Sequence, residues 1–90
     1  MAARAARVTA ATTATRLDIT TVTQIGRYGL LVRNRGSVAV YLGGSDVTTA
    51  TGYQLDPGEA QPVDLAGYDS GLYGIVASGT AVCHVLQVGA

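Results

Sequence analysis

The side chains of this chain that could do chemistry are few, and their spacing works against it. There is one histidine and one cysteine, adjacent in the apolar run Ala81-Val82-Cys83-His84-Val85-Leu86. Neighbours on a strand point to opposite faces, so these two cannot jointly hold a metal ion there. A nucleophilic triad needs a base oriented by a carboxylate beside a nucleophile. His84 instead alternates within a hydrophobic strand, the position of a core or interface histidine. Cys83, having no second cysteine to pair with, reads as a buried, inert thiol. The carboxylates Asp46, Asp56, Glu59, Asp64 and Asp69 are scattered through expected turns, where such groups accept hydrogen bonds from local backbone amides. A paired-carboxylate glycosidase would need a substrate cleft, for which a 90-residue chain has little room. Gly43-Gly44-Ser45 lacks the Gly-Lys-Ser/Thr and the following helix of a phosphate loop. The expectation is a protein that is not an enzyme and uses no metal and no cofactor.

The tyrosines at 28, 41, 53, 68 and 73 are the remaining polar-tipped groups of interest. An aromatic face can stack on a sugar while its hydroxyl reaches outward. Filling the edges of a core is the commoner use of such residues. Tyr53 and Tyr68, in or beside loops, are the candidates for exposed contacts.

Composition points the same way. Hydrophobic residues make up 48% of the chain and mean hydropathy is +0.28, yet Trp and Phe are absent and all five aromatics are Tyr. The core must therefore be built from small aliphatic side chains, which bury less apolar area per residue. A chain this short buries only about 60–65% of its unfolded surface. Both facts favour further burial against identical subunits or a larger assembly. Net charge is zero and only 13% of residues are charged, which argues against a nucleic-acid binder with a continuous basic face. Every basic residue is Arg. No stretch approaches the 18 or so apolar residues of a membrane helix, and the N-terminus lacks the apolar core of a secretory signal. A soluble protein, made inside the cell, is expected.

Two domains of unequal character position these groups. Residues 1 to 15 are low in complexity, with no large hydrophobe except Met1 and Val8, and read as an N-terminal arm that orders against a neighbouring subunit or frays. Residues 16 to 90 carry the folded domain. Leu17 and Ile19 alternate with Asp18 and Thr20 as a strand. Residues 28 to 34 and 38 to 42 read as an antiparallel hairpin closed by Arg35-Gly36-Ser37, with Gly36 at positive φ. Gly43 to Gly52 is a small-residue loop before the short strand Tyr53-Gln54-Leu55. Asp56-Pro57-Gly58-Glu59 is a type II turn signal. Residues 61 to 65 form an edge strand, since Pro62 cannot donate to a ladder. Residues 72 to 77 and 80 to 88 are further strands, the last apolar on both faces and so central in a sheet or at a subunit interface. Six or seven short strands without a helix predict an all-β fold, a small antiparallel β-sandwich or jelly roll with an extended N-terminal arm.

The stretch Asn34-x-Gly36-Ser37-x-x-Val40-Tyr41-Leu42-Gly43-Gly44-Ser45-x-Val47-Thr48, with Gly52-Tyr53-x-Leu55 and Pro57-Gly58-Glu59, resembles small β-rich virion proteins of tailed bacteriophages. Leu72-Tyr73-Gly74-Ile75, Gly79-Thr80-Ala81 and Val85-Leu86 continue the pattern over about two thirds of the chain; the arm lies outside it. The resemblance implies a capsid decoration (cementing) protein, a homotrimer that binds the major capsid protein on the outside of the virion, without nucleic acid or membrane as partner. Arg4, Arg7 and Arg16 would pair with capsid carboxylates, while Val8 and the Thr-rich segment would add a strand to an exposed edge. The alternative is a tail or fibre module binding host carbohydrate through the loop from Gly43 to Gly52. Its contacts would be Asp46, Thr48 and Thr49, with Tyr53 and Tyr68 beside them.

Overall fold

The computed structural model describes residues 2–17, 27–66 and 71–89, and these form strands and turns with no helix. The strands are β1 (Ala2–Ala10), β2 (Thr15–Arg16), β3 (Arg27–Asn34), β4 (Val40–Gly43), β5 (Tyr53–Leu55), β6 (Ala60–Ala66), β7 (Tyr73–Ile75) and β8 (Ala81–Gly89). They make two four-stranded antiparallel sheets, ordered β1-β8-β3-β6 and β2-β7-β4-β5. The pairs β1/β8, β2/β7, β3/β6 and β4/β5 are nested, first with last down to the two middle strands. Pairing of β3 with β8 and of β4 with β7 then rolls this nested ribbon closed. The result is a β-sandwich with jelly-roll strand order, the fold class expected of the sequence.

Period-two alternation decides which side chains enter the core. In β3, Leu30, Val32 and Asn34 are buried while Leu31 and Arg33 are exposed. In β8, Ala81, Cys83, Val85 and Gln87 are buried while Val82, His84 and Leu86 are exposed. The second sheet contributes Val40, Leu42 and Leu55, with Leu17, Leu72 and Val76 closing the cluster beside them. Gly74 lies under this packing, for a Cβ there would sit 3.0 Å from Leu17 Cδ1 and 3.1 Å from Val40 Cγ1.

Several expectations hold in detail. The turn after β5 has Gly58 at φ 86°, with the Glu59 amide donating to the Asp56 carbonyl at 2.9 Å. The strand carrying Pro62 is an edge, and β8 lies inside its sheet, between β1 and β3. Cys83 is fully buried. The strand expected from Leu17 through Ile19 lies mostly outside the described residues.

Other expectations require correction. Residues 28–34 and 38–42 do not form a hairpin: β3 belongs to the first sheet and β4 to the second, so the link between them is an arch from one layer to the other. Gly36 is not at positive φ. It is required by close approach, since a Cβ there would lie 2.6 Å from Ala81 Cβ and 2.8 Å from Ala81 Cα. Of the two places expected for His84, core or interface, the core is excluded, because β8 sends its odd-numbered residues inward and leaves His84 exposed. The N-terminal segment does contribute to the core. Ala2–Ala10 is extended and pairs along its length with β8 of its own chain, burying Ala10 completely.

The arch is held by Asn34, which is wholly buried. Its Nδ2 donates to the carbonyls of Val38 at 2.8 Å and Leu55 at 2.9 Å, and its Oδ1 accepts from the Gly36 amide at 2.9 Å. Its backbone amide donates to the Glu59 carbonyl at 2.9 Å, and its carbonyl accepts from the Gly58 amide at 2.7 Å. One residue therefore ties these parts together, its side chain holding the arch and the end of β5 and its backbone holding the following turn. Burial of an amide is tolerable here because these partners satisfy it.

Candidate functional site

The outer face of the first sheet gathers more chemistry than any loop expected to carry function. Its pattern follows from register. Arg7 on β1 stands opposite His84 on β8, and His84 stands opposite Arg33 on β3. Ala60 on β6 completes that row. The next row reads Ala5, Leu86, Leu31 and Pro62 across the same four strands. On the other side, Thr9 faces Val82, whose carbonyl accepts from the Arg35 amide at 2.8 Å. All of these residues are exposed.

A row of basic residues thus crosses three adjacent strands beside a row of aliphatic ones. Leu31, Leu86 and Val82 are 41%, 40% and 37% exposed, large for aliphatic groups on strands. Between the rows lies a shallow depression of about 390 Å³, lined by Ala5, Arg7, Leu31, Arg33, His84 and Leu86 among others.

The like-charged pair Arg7 and Arg33, on the two strands that flank β8, does nothing for the sheet; opposite signs are the stabilising arrangement. Strands are about 4.8 Å apart, so β1 and β3 are separated by roughly 10 Å. At that distance two unit charges in water repel by about 0.4 kcal/mol. The fold tolerates the row without being helped by it. The positions directly opposite Arg7 and Arg33 are His84 and Ala60. Glu59, just before Ala60, uses Oε1 to accept from the Asp56 amide at 2.8 Å.

The residues expected to carry function divide between distant places. Arg7 is exposed on the face just described, while Val8 turns inward and packs against the core. Arg4 lies on β1 opposite Gln87. Arg16 is exposed on β2, in the other sheet. Sequence alone placed the basic contacts at Arg4, Arg7 and Arg16 and did not single out Arg33, Arg35, Leu31, Val82 or Leu86, which share this face with Arg7. The signal present was outward alternation in β3 and β8, but it identifies a shared face only once those strands are known to be neighbours.

The loop from Gly43 to Gly52 is tied down. Val47 is buried, and Cβ atoms added at Gly43 and Gly52 would meet it at 2.7 and 2.9 Å. The hydroxyls of Thr48 and Thr51 lie 3.0 Å apart, and each also accepts from the other's amide. Asp46 and Thr49 are exposed, and Tyr53 beside them is 59% exposed. Tyr68 lies outside the described residues. Cys83, behind the site in the core, has its thiol pushed up to about 11 by burial. Among the described residues no three His, Cys, Asp or Glu side chains converge on a point where a metal ion could be held.

The chain matches no protein-family model, and no curated protein matches it significantly.

Proposed function

We propose that this protein is a structural component of a tailed-bacteriophage virion, a capsid decoration protein that binds the outer surface of the major capsid lattice as a homotrimer. The observation that carries the reading is the outer face of the first sheet, where Leu31, Val82 and Leu86 stand exposed together on rigid strands. Apolar surface of this kind is a site for burial against another protein. Jelly rolls are also an architecture of viral capsid proteins. The virion identity itself comes from the sequence resemblance.

Such a protein cements by mass action. It binds the assembled lattice and not the free subunit, so its binding free energy adds to the stability of the shell. In a trimer three such faces engage neighbouring capsid subunits at once, and modest single contacts multiply through effective concentration.

A second reading has its own observation. Tyr53 is 59% exposed on β5, in the opposite sheet, beside Gln54, whose Nε2 donates to Asp56 Oδ1 at 2.7 Å. The exposed aromatic face suits stacking on a sugar, as a tail or fibre module would require, while the Gln54–Asp56 pair, at the next position of the strand, lies on the other side. Electron cryomicroscopy of the intact particle separates the two. Many copies arrayed on the head are expected; a few copies confined to the tail would reject cementing in favour of the second reading.

A further inference from the structure

We infer that the outer face of the first sheet recognises an acidic, leucine-like segment of a partner protein, its two carboxylates received by Arg7 and Arg33 and its aliphatic side chains by Leu31 and Leu86. The inference rests on the reading above that this face docks on another protein, and adds which chemistry it selects.

The argument is one of complementarity. Arg7 and Arg33 flank His84 in one row, and Leu86 and Leu31 lie in the next. Docking any apolar surface here would also remove the two guanidinium groups from water. Desolvating them without a counter-charge is costly, whereas a carboxylate received in paired hydrogen bonds offsets that cost. The partner must therefore carry acid and apolar groups side by side. Strand spacing sets the separation of the acids at roughly 10 Å. A helix with two glutamates seven residues apart meets it, at about 1.5 Å of rise per residue, and places leucines between them on the same side.

Two other occupants fit less well. A second copy of this face would bring Arg7 and Arg33 of each copy against one carboxylate per copy, Asp64, which is exposed on β6 one row beyond Pro62. A nucleic-acid strand would find its cations interleaved with Leu31, Leu86 and Val82, which give no aromatic platform for bases.

The test uses the full chain and three probes: a fluorescein-labelled helical peptide with two glutamates seven residues apart flanking two leucines, the same peptide with glutamine at both positions, and a single-stranded oligothymidylate. Fluorescence anisotropy should show the acidic peptide binding, with a loss of roughly tenfold or more for the glutamine peptide and for the Arg7→Ala/Arg33→Ala variant, and weakening as salt rises. Both arginines are exposed, so an unchanged circular dichroism spectrum is expected of the variant. Equal binding of the two peptides would overturn the inference. So would preference for the oligonucleotide, absence of peptide binding, or a wild-type oligomer that dissociates on Leu31→Asp/Leu86→Asp substitution. The capsid reading fails separately, by absence from the head. An Arg7→Glu/Arg33→Glu protein that still decorates heads at wild-type occupancy would sink the inference alone.

Discussion

The two faces of the first sheet are made by the same strands and are both rich in aliphatic side chains, yet they are finished differently. Inward, Leu30, Val32, Cys83 and Val85 pack to near-zero exposure, and the one buried amide in β3, Asn34, has each polar atom of its side chain satisfied. Outward, Leu31, Val82 and Leu86 remain exposed, and the basic row of Arg7, His84 and Arg33 has no acid opposite it. The inner face is complete within the chain, whereas the outer face keeps aliphatic and cationic side chains exposed. On the proposed reading, stability belongs to one side of this sheet and association to the other, and substitutions should separate them.

The largest effect should come from Asn34. Asn34→Ala removes two donors from buried carbonyls and one acceptor from the Gly36 amide, at a cost of about 2–4 kcal/mol in denaturant unfolding. Asn34→Asp should be worse, because a carboxylate would face the carbonyls of Val38 and Leu55 that now accept from Nδ2. An aspartate variant as stable as the wild type would mean that the arch is held by something other than this amide.

Cys83 tests the inner face by pH. Burial raises its thiol from 9.0 to about 11, so between these values the folded chain keeps a proton that the unfolded chain has lost. The stability this contributes is fully present below pH 9 and is lost as pH rises through 9 toward 11, up to about 2–3 kcal/mol in total. The informative quantity is the difference between wild type and Cys83→Ala, which isolates the thiol's contribution. The variant should show a shallower alkaline decline. In the folded wild type at neutral pH a thiol reagent should react slowly, and at a rate that rises with denaturant.

Gly36→Ala comes next, at about 1–3 kcal/mol, since the new methyl would press on the Ala81 backbone and side chain. This glycine also shows where the sequence was and was not legible. The alternation of β3 and β8, the Asp56–Glu59 turn and the edge position of Pro62 could all be read locally, because each depends on residues within a few positions. The arch could not. A hairpin and a crossing between layers both show two alternating strands joined by a glycine, and they differ only in whether that glycine needs positive φ or room for a neighbour. Ala81, the neighbour that decides it, is far along the chain. The N-terminal segment was obscured for a related reason: its alanines have weak strand preference, and the nine-residue pairing with β8 outweighs it. Likewise the candidate site was visible only as single exposed residues of β3 and β8 until the register aligned them.

The smallest effect on stability should accompany the largest on association. Replacing Leu31 and Leu86 together by Ser removes apolar groups that are already about 40% exposed, and exposed positions of this kind shift unfolding by roughly 0.5–1 kcal/mol in total. The same two positions form the aliphatic row of the outer face, so occupancy on the particle, measured by quantitative electrophoresis of purified virions after incubation with added protein, should fall several-fold. The reciprocal change on the inner face, Val32→Ala, should cost a few kcal/mol through the cavity it leaves while sparing occupancy wherever the protein remains folded. If the leucine pair proved as destabilising as Val32→Ala, the outer face would be part of what holds the sheet together. Its exposure would then be a matter of packing, and the division of labour between the two faces would fail.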